Sequence, residues 1–165
     1  MLKILFVCTG NTCRSCMAEA LFMHAVKEYK NNDENGKYEG LEVSSAGISA
    51  FDGEPASYNA RKVLFDQWGI DISAHKSRRL TPEMVQEAGL ILTMTVAHRD
   101  ELIRRYGSYK DKIFTLKECI NKHFEDEYKN DLNIVDPFGG DEEVYKECSV
   151  EIKKAVGNLT KILFD

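Results

Sequence analysis

The apolar positions at the head of the chain form a continuous run, "LKILFVC" (2–8), polar only at Lys3, and then change to helical spacing. A continuous apolar run marks a strand buried on both faces. In "RSCMAEALFMHAVKEY" the residues Met17, Leu21, Ala25 and Tyr29 share one stripe, which predicts an amphipathic helix with Ser15 as its N-cap. The alternation then repeats. "LEVSSAG" (41–47), "LILTM" (90–94) and "KIFTL" (112–116) read as strands. "PASYNARKVLFDQWG" (55–69), with Pro near its start and Gly after its end, "PEMVQEAG" and "VAHRDELIRRYG" read as helices. A polar loop follows, and "DEEVYKECSVEIKKAVGNLTKILF" predicts a long closing helix. "KNNDENGKYEG" (30–40) reads as a surface loop, and neither linker nor repeat is visible. Strands alternating with helices predict an α/β fold: a single domain, residues 1–165, with a four-stranded parallel sheet in a three-layer, Rossmann-like αβα sandwich. Ligands of such sheets sit at the carboxyl ends of the strands. Residues 8–14 lie at that end of the first one.

Composition narrows the function classes. At 165 residues, 43% hydrophobic and 30% charged, the chain can bury a real core. A net charge of −5 argues against nucleic acid as a partner. "MLKILFVC" is too short for a signal-peptide core or a membrane span, so a soluble, cytoplasmic protein with no membrane partner is expected. The five cysteines are not spaced as a disulfide framework. In a reducing compartment they are catalytic, metal-bound or inert.

Three of them crowd into "FVCTGNTCRSCMAEALF". Cys8, Cys13 and Cys16 have the C-x4-C-x2-C spacing of plant-type iron–sulfur ligands, but the next cysteine, Cys119, is far along the chain. A nucleophile is the better reading. Cys8 and Arg14 bracket "TGNTC" between a strand and a helix, where Gly10 and Asn11 can take positive φ. A loop of that kind turns successive backbone N–H groups inward, and the helix N-terminus behind it adds partial positive charge. Arg14 offers a planar fork to two phosphoryl oxygens, and the combined field favours the Cys8 thiolate. Phosphate or another oxyanion is the expected occupant, with no metal and no cofactor.

"VCTGNTCRS" resembles the Cys-x5-Arg-Ser signature of the low-molecular-weight protein tyrosine phosphatase family, and "DPFGG" (136–140) is similar to its Asp-Pro-aromatic loop. The resemblance spans essentially the whole chain. It implies phosphoryl transfer through a phosphocysteine: Cys8 as nucleophile, Arg14 as oxyanion clamp and Asp136 as general acid. Thr9, Gly10, Asn11, Thr12, Cys13, Arg14 and Ser15 would form the phosphate-binding loop, with Asn11 braced by Ser45 and His75. It also implies that Cys13 can form a reversible disulfide with Cys8. Cys16 departs from the family, which usually has proline there. Cys119 and Cys148 read as packing residues, and His24, His98 and His123 as surface or helix residues.

Substrate choice turns on Thr12, where tyrosine-directed members commonly carry a bulkier aliphatic residue. "CTGNTCRS" and "DPFGG" resemble the bacterial protein-arginine phosphatases, implying hydrolysis of the P–N bond of phosphoarginine in phosphorylated proteins. Phe138 offers one aromatic wall, Gly139 removes a second, and Phe51 supplies another by alignment. Phosphotyrosine-protein phosphatase activity is the alternative. Arsenate reduction needs further cysteines that residues 76–112 lack. A non-catalytic phosphate-binding module fits poorly with intact Cys8, Arg14 and Asp136.

Overall fold

In the computed structural model, which describes residues 1–31, 39–125 and 127–165, the apolar runs become strands where the pattern places them. The predicted loop at 30–40 lies largely outside the described residues. The strands are β1 (Leu2–Cys8), β2 (Leu41–Gly47), β3 (Leu90–Thr93) and β4 (Ile113–Thr115). All pairings are parallel, in the order β2-β1-β3-β4. The chain moves from β1 to one side for β2 and to the other for β3 and β4. The carboxyl end of β1 is therefore the topological switch point, where a crevice opens.

The helices are α1 (Arg14–Lys30), α2 (Tyr58–Trp68), α3 (Pro82–Glu87), α4 (Val96–Arg105), α5 (Leu116–Asn121) and α6 (Glu142–Phe164). The pleat of β1 splits the core. Ile4, Phe6 and Cys8 face the cluster built by α1, α2, α5 and α6, whereas Leu5 and Val7 face the cluster under α3 and α4. This is the expected three-layer sandwich. Each fully buried aliphatic or aromatic side chain stabilises it by roughly 1.5–3 kcal/mol.

Several local details differ from the sequence reading. Helix α1 starts at Arg14 with Cys13 at its N-cap and no side-chain cap. Ser15 is thus inside the first turn, not the cap, because its hydroxyl is committed to the loop. Met17 and Leu21 are buried as expected, but Ala25 and Tyr29 are only partly covered, and Phe22 and Val26 complete the stripe. Helix α2 starts later than Pro55, with the Ser57 hydroxyl accepting from the Ala60 N–H. Helix α5 falls where a polar loop is expected. Thr115 and Glu118 form a capping box there, a signal masked by the adjoining strand.

The end of β2 sets the position of the loop after β1. A Cβ on Gly47 would lie 2.5 Å from the Thr9 carbonyl oxygen and 2.9 Å from the Asn11 amide nitrogen. Both are backbone atoms, so neither can swing away. Gly47→Ala is expected to destabilise the fold by about 1–3 kcal/mol through overpacking and to lower kcat by displacing the loop. Urea unfolding and steady-state rates check it, and unchanged values for both would mean that this close approach does not hold the loop.

Candidate active site

Residues 8–14 form a closed cup whose carbonyl groups are tied outward. The Cys8 oxygen accepts from the Ile48 N–H (2.9 Å), the Thr9 oxygen from the Ser49 N–H (3.0 Å) and the Thr12 oxygen from the Ser57 N–H (2.9 Å). His75 Nε2 lies 2.7 Å from the Asn11 oxygen. In a trans peptide the N–H of the next residue points away from the carbonyl. The amides of Thr9, Gly10, Thr12 and Cys13 are thereby turned to the side away from these partners, as in an anion nest. Asn11 supplies the tight bend with φ 57°, whereas Gly10 is not among the residues with positive φ. The expectation of positive φ at both positions is therefore corrected: one residue, its amide side chain tied locally, carries the turn.

The Cys8 sulfur lies at the bottom of the cup. It accepts from the Asn11 N–H at 3.3 Å and shares a 2.9 Å hydrogen bond with the Ser15 hydroxyl. The direction of that bond follows from its neighbours. Asn11 Nδ2 donates both its hydrogens, to Ser15 Oγ (2.8 Å) and to Ser45 Oγ (2.9 Å). Ser15 Oγ accepts there, so its own hydrogen is free for Cys8, while the Ser45 hydroxyl donates to Glu19 Oε2. Two donors thus converge on one sulfur, which the Asn11 N–H and the Ser15 hydroxyl hold in place at the base of the cup. Arg78 N–H completes the brace on the Asn11 side-chain oxygen (2.9 Å). The expected grouping of Ser45 and His75 around Asn11 is present; Glu19 and Arg78 join it without any sequence motif to mark them.

Arg14 is 5% exposed. Its Nη1 donates to the Ile134 carbonyl (2.9 Å), and Nη2 lies 3.6 Å from Asp136 Oδ2. Its Nε is buried with no acceptor among the described residues. Cys8, Thr9, Gly10, Asn11, Thr12, Cys13, Arg14, Phe51, Asp136 and Phe138 all line one cavity of about 290 Å³, together with Glu54. The sequence-predicted residues are thus gathered, with Ser15, Ser45 and His75 behind the wall rather than on it. Phe51 and Phe138 are 75% and 78% exposed, so the rings stand at the mouth and not in the core.

The comparisons with known proteins agree with this geometry. The family model for low molecular weight phosphotyrosine protein phosphatase matches residues 3–164. This chain belongs to that family. A protein-arginine-phosphatase of Geobacillus stearothermophilus is 40% identical over 98% of this chain and 95% of its own, and that of Bacillus subtilis 38% over 98% and 97%. A solved structure of the YwlE arginine phosphatase, a cysteine-to-serine mutant with a phosphorylated active-site serine, superposes with TM-score 0.83 at 36% identity, over 98% of this chain and 95% of that one. Family and fold stand as the sequence implied.

Three further features of this phosphatase-family chain bear on the site. His98 was expected on the surface or merely in a helix. It lies in α4 but is buried, with Nε2 2.8 Å from Thr9 Oγ1. Burial and then the nearby Arg14 charge push its pKa down to about 4, so the ring is neutral at ordinary pH. The other cysteines do not converge as a cluster would. Cys13 shares a 3.2 Å contact with the Tyr145 hydroxyl, Cys16 donates to the Cys13 carbonyl, and all five thiols are free. Burial raises Cys16 well above the usual thiol range and Cys148 to about 12, consistent with packing roles. Among the described residues, no group of three or more His, Cys, Asp or Glu could hold a metal ion, and no helix is long and apolar enough to cross a membrane.

Proposed function

We propose that the protein is a cysteine-dependent phosphatase that removes phosphate from phosphoarginine in proteins. One observation supports the chemistry above all: a sulfur with two hydrogen-bond donors beneath a ring of inward amides and the Arg14 guanidinium. Cys8 thiolate attacks phosphorus, and the P–N bond breaks as Asp136 donates a proton to the departing guanidino nitrogen. Water then attacks the phosphocysteine, and the thiolate leaves. Amides and Arg14 hold the charge on the equatorial oxygens throughout. The relative that carries phosphate on a serine at its active-site cysteine supports a covalent intermediate on the side chain.

The arginine preference rests on Thr12, on the Phe138–Gly139 pair and on the two arginine phosphatases among the relatives. Thr12 lines the cavity and can hold a polar neighbour, where an aliphatic side chain only fills space. Gly139 has φ 79°, so a second aromatic there would be strained as well as absent. The two rings at the mouth favour phosphotyrosine as the second reading, since they can sandwich a phenyl group. The deciding measurement is kcat/KM on matched phosphoarginine and phosphotyrosine peptides. Thr12→Ile is expected to move the ratio toward phosphotyrosine by about tenfold. An unchanged ratio would remove Thr12 as selector.

A further inference from the structure

Glu54 is a carboxylate on the wall of the cavity whose chemistry the phosphatase mechanism leaves unused. Its side chain is exposed and pairs with no cation among the described residues. By contrast, Asp52 on the same segment is occupied, accepting from the Arg79 N–H at 2.7 Å. The backbone beneath Glu54 is fixed by Ser77, which is 1% exposed. Gly53 N–H donates to the Ser77 carbonyl (2.9 Å), Ser77 N–H to the Glu54 carbonyl (2.7 Å) and Glu54 N–H to the Ser77 hydroxyl (3.0 Å). The Ser77 hydroxyl in turn donates to the Phe51 carbonyl. Phe51 and Glu54 are therefore presented at the mouth by a rigid segment, next to the same stretch that braces Asn11 through His75 and Arg78.

An unpaired carboxylate is an odd neighbour for a phosphate site. It repels the dianion, and for an aryl phosphate it brings no compensating contact. The balance reverses for a substrate that carries its own cation beside the phosphoryl group. With the phosphate in the Cys8–Arg14 cup, the guanidinium of phosphoarginine projects into the cavity mouth, its remaining N–H groups outward. A planar fork of donors there meets Asp136 from one lining segment and Glu54 from another, between Phe51 and Phe138.

We propose that Glu54 is a specificity-determining residue that reads the guanidinium cation of the substrate and discriminates against neutral phosphoesters. The inference rests on the arginine-phosphatase reading above. It predicts a loss on phosphoarginine with no loss on phosphotyrosine, which a merely structural residue would not give. The test compares the parent enzyme, Glu54→Gln and Glu54→Lys on two peptides identical but for phosphoarginine or phosphotyrosine and free of other charges. Glu54→Gln is expected to lower kcat/KM for phosphoarginine by about five- to tenfold, mostly through KM, with phosphotyrosine turnover unchanged or raised up to about twofold. Glu54→Lys should move both further in the same directions. If the parent prefers phosphoarginine and neither variant lowers that preference, Glu54 is not the reader, although the arginine-phosphatase reading survives. If the parent does not prefer phosphoarginine, that reading fails and the inference falls with it.

Discussion

Replacing Cys8 by serine is expected to lower kcat by at least about 10⁴-fold on either phosphopeptide while inorganic phosphate still binds. The two effects separate because they belong to different atoms. Turnover needs an anionic sulfur, and a serine hydroxyl in the same place is a far weaker nucleophile at neutral pH. Binding needs the amides of the loop and the Arg14 fork, and these are held by partners that do not involve the sulfur: Ile48, Ser49 and Ser57 on the loop carbonyls, and Ile134 on the guanidinium. Steady-state rates and phosphate titration calorimetry on the same sample make the comparison. Retained turnover would contradict the assignment of Cys8 as nucleophile. Lost phosphate affinity would mean that the cup depends on the thiolate for its shape.

The strands and the cup were readable in the chain for a common reason: both are local. A parallel strand covered on both faces is apolar through its covered stretch, so β1, polar only at Lys3, and β3, polar only at Thr93, announce themselves without reference to any partner. The phosphate-loop motif compresses nucleophile, turn and clamp into residues 8–14, and any fold that places it between a strand and a helix yields the same nest. What escaped notice depends on which segments the sheet order brings together. Thr9 and His98 are 89 residues apart and meet only because β3 pairs with β1 and α4 follows β3. Ser77 clamps a wall 26 residues upstream through a backbone carbonyl, an interaction for which any hydroxyl would look alike in the sequence. Glu19 reaches Ser45 across the α1–β2 contact. The N-cap expected at Ser15 fails for the same reason, although its place in the phosphate-binding loop holds. Local rules assign a serine at a helix start to capping, but here the long-range placement of Asn11 by Ser45 and Arg78 draws the hydroxyl to Cys8.

Asp136→Asn is expected to slow phosphoarginine hydrolysis by about 10²–10⁴-fold, with the loss concentrated in kcat. The structure makes this a clean substitution. The Asp136 side chain is 51% exposed, so its replacement should leave the fold intact. Its contacts are a 3.1 Å hydrogen bond from the Phe138 N–H to Oδ1 and the 3.6 Å approach of Arg14 Nη2 to Oδ2. An asparagine oxygen can keep the first, so the 136–138 loop should stay in place. What the amide cannot do is give up a proton to the leaving nitrogen or take one from the attacking water. The size of the defect should therefore follow the basicity of the leaving group. A guanidine or an ordinary phenol departs poorly unless protonated, whereas a strongly acidic phenol, such as a nitro-substituted one, departs as its anion. Measured across such a series with burst kinetics, the variant should approach the parent in the first step for the most acidic leaving group and fall furthest behind for phosphoarginine. A defect of equal size on every substrate would point to a positional role for Asp136, through its charge beside Arg14. A variant as fast as the parent on phosphoarginine would require the proton to come from another group at the cavity mouth. Glu54 is the other carboxylate that lines the cavity, and the Glu54→Gln enzyme would then have to lose kcat rather than raise KM.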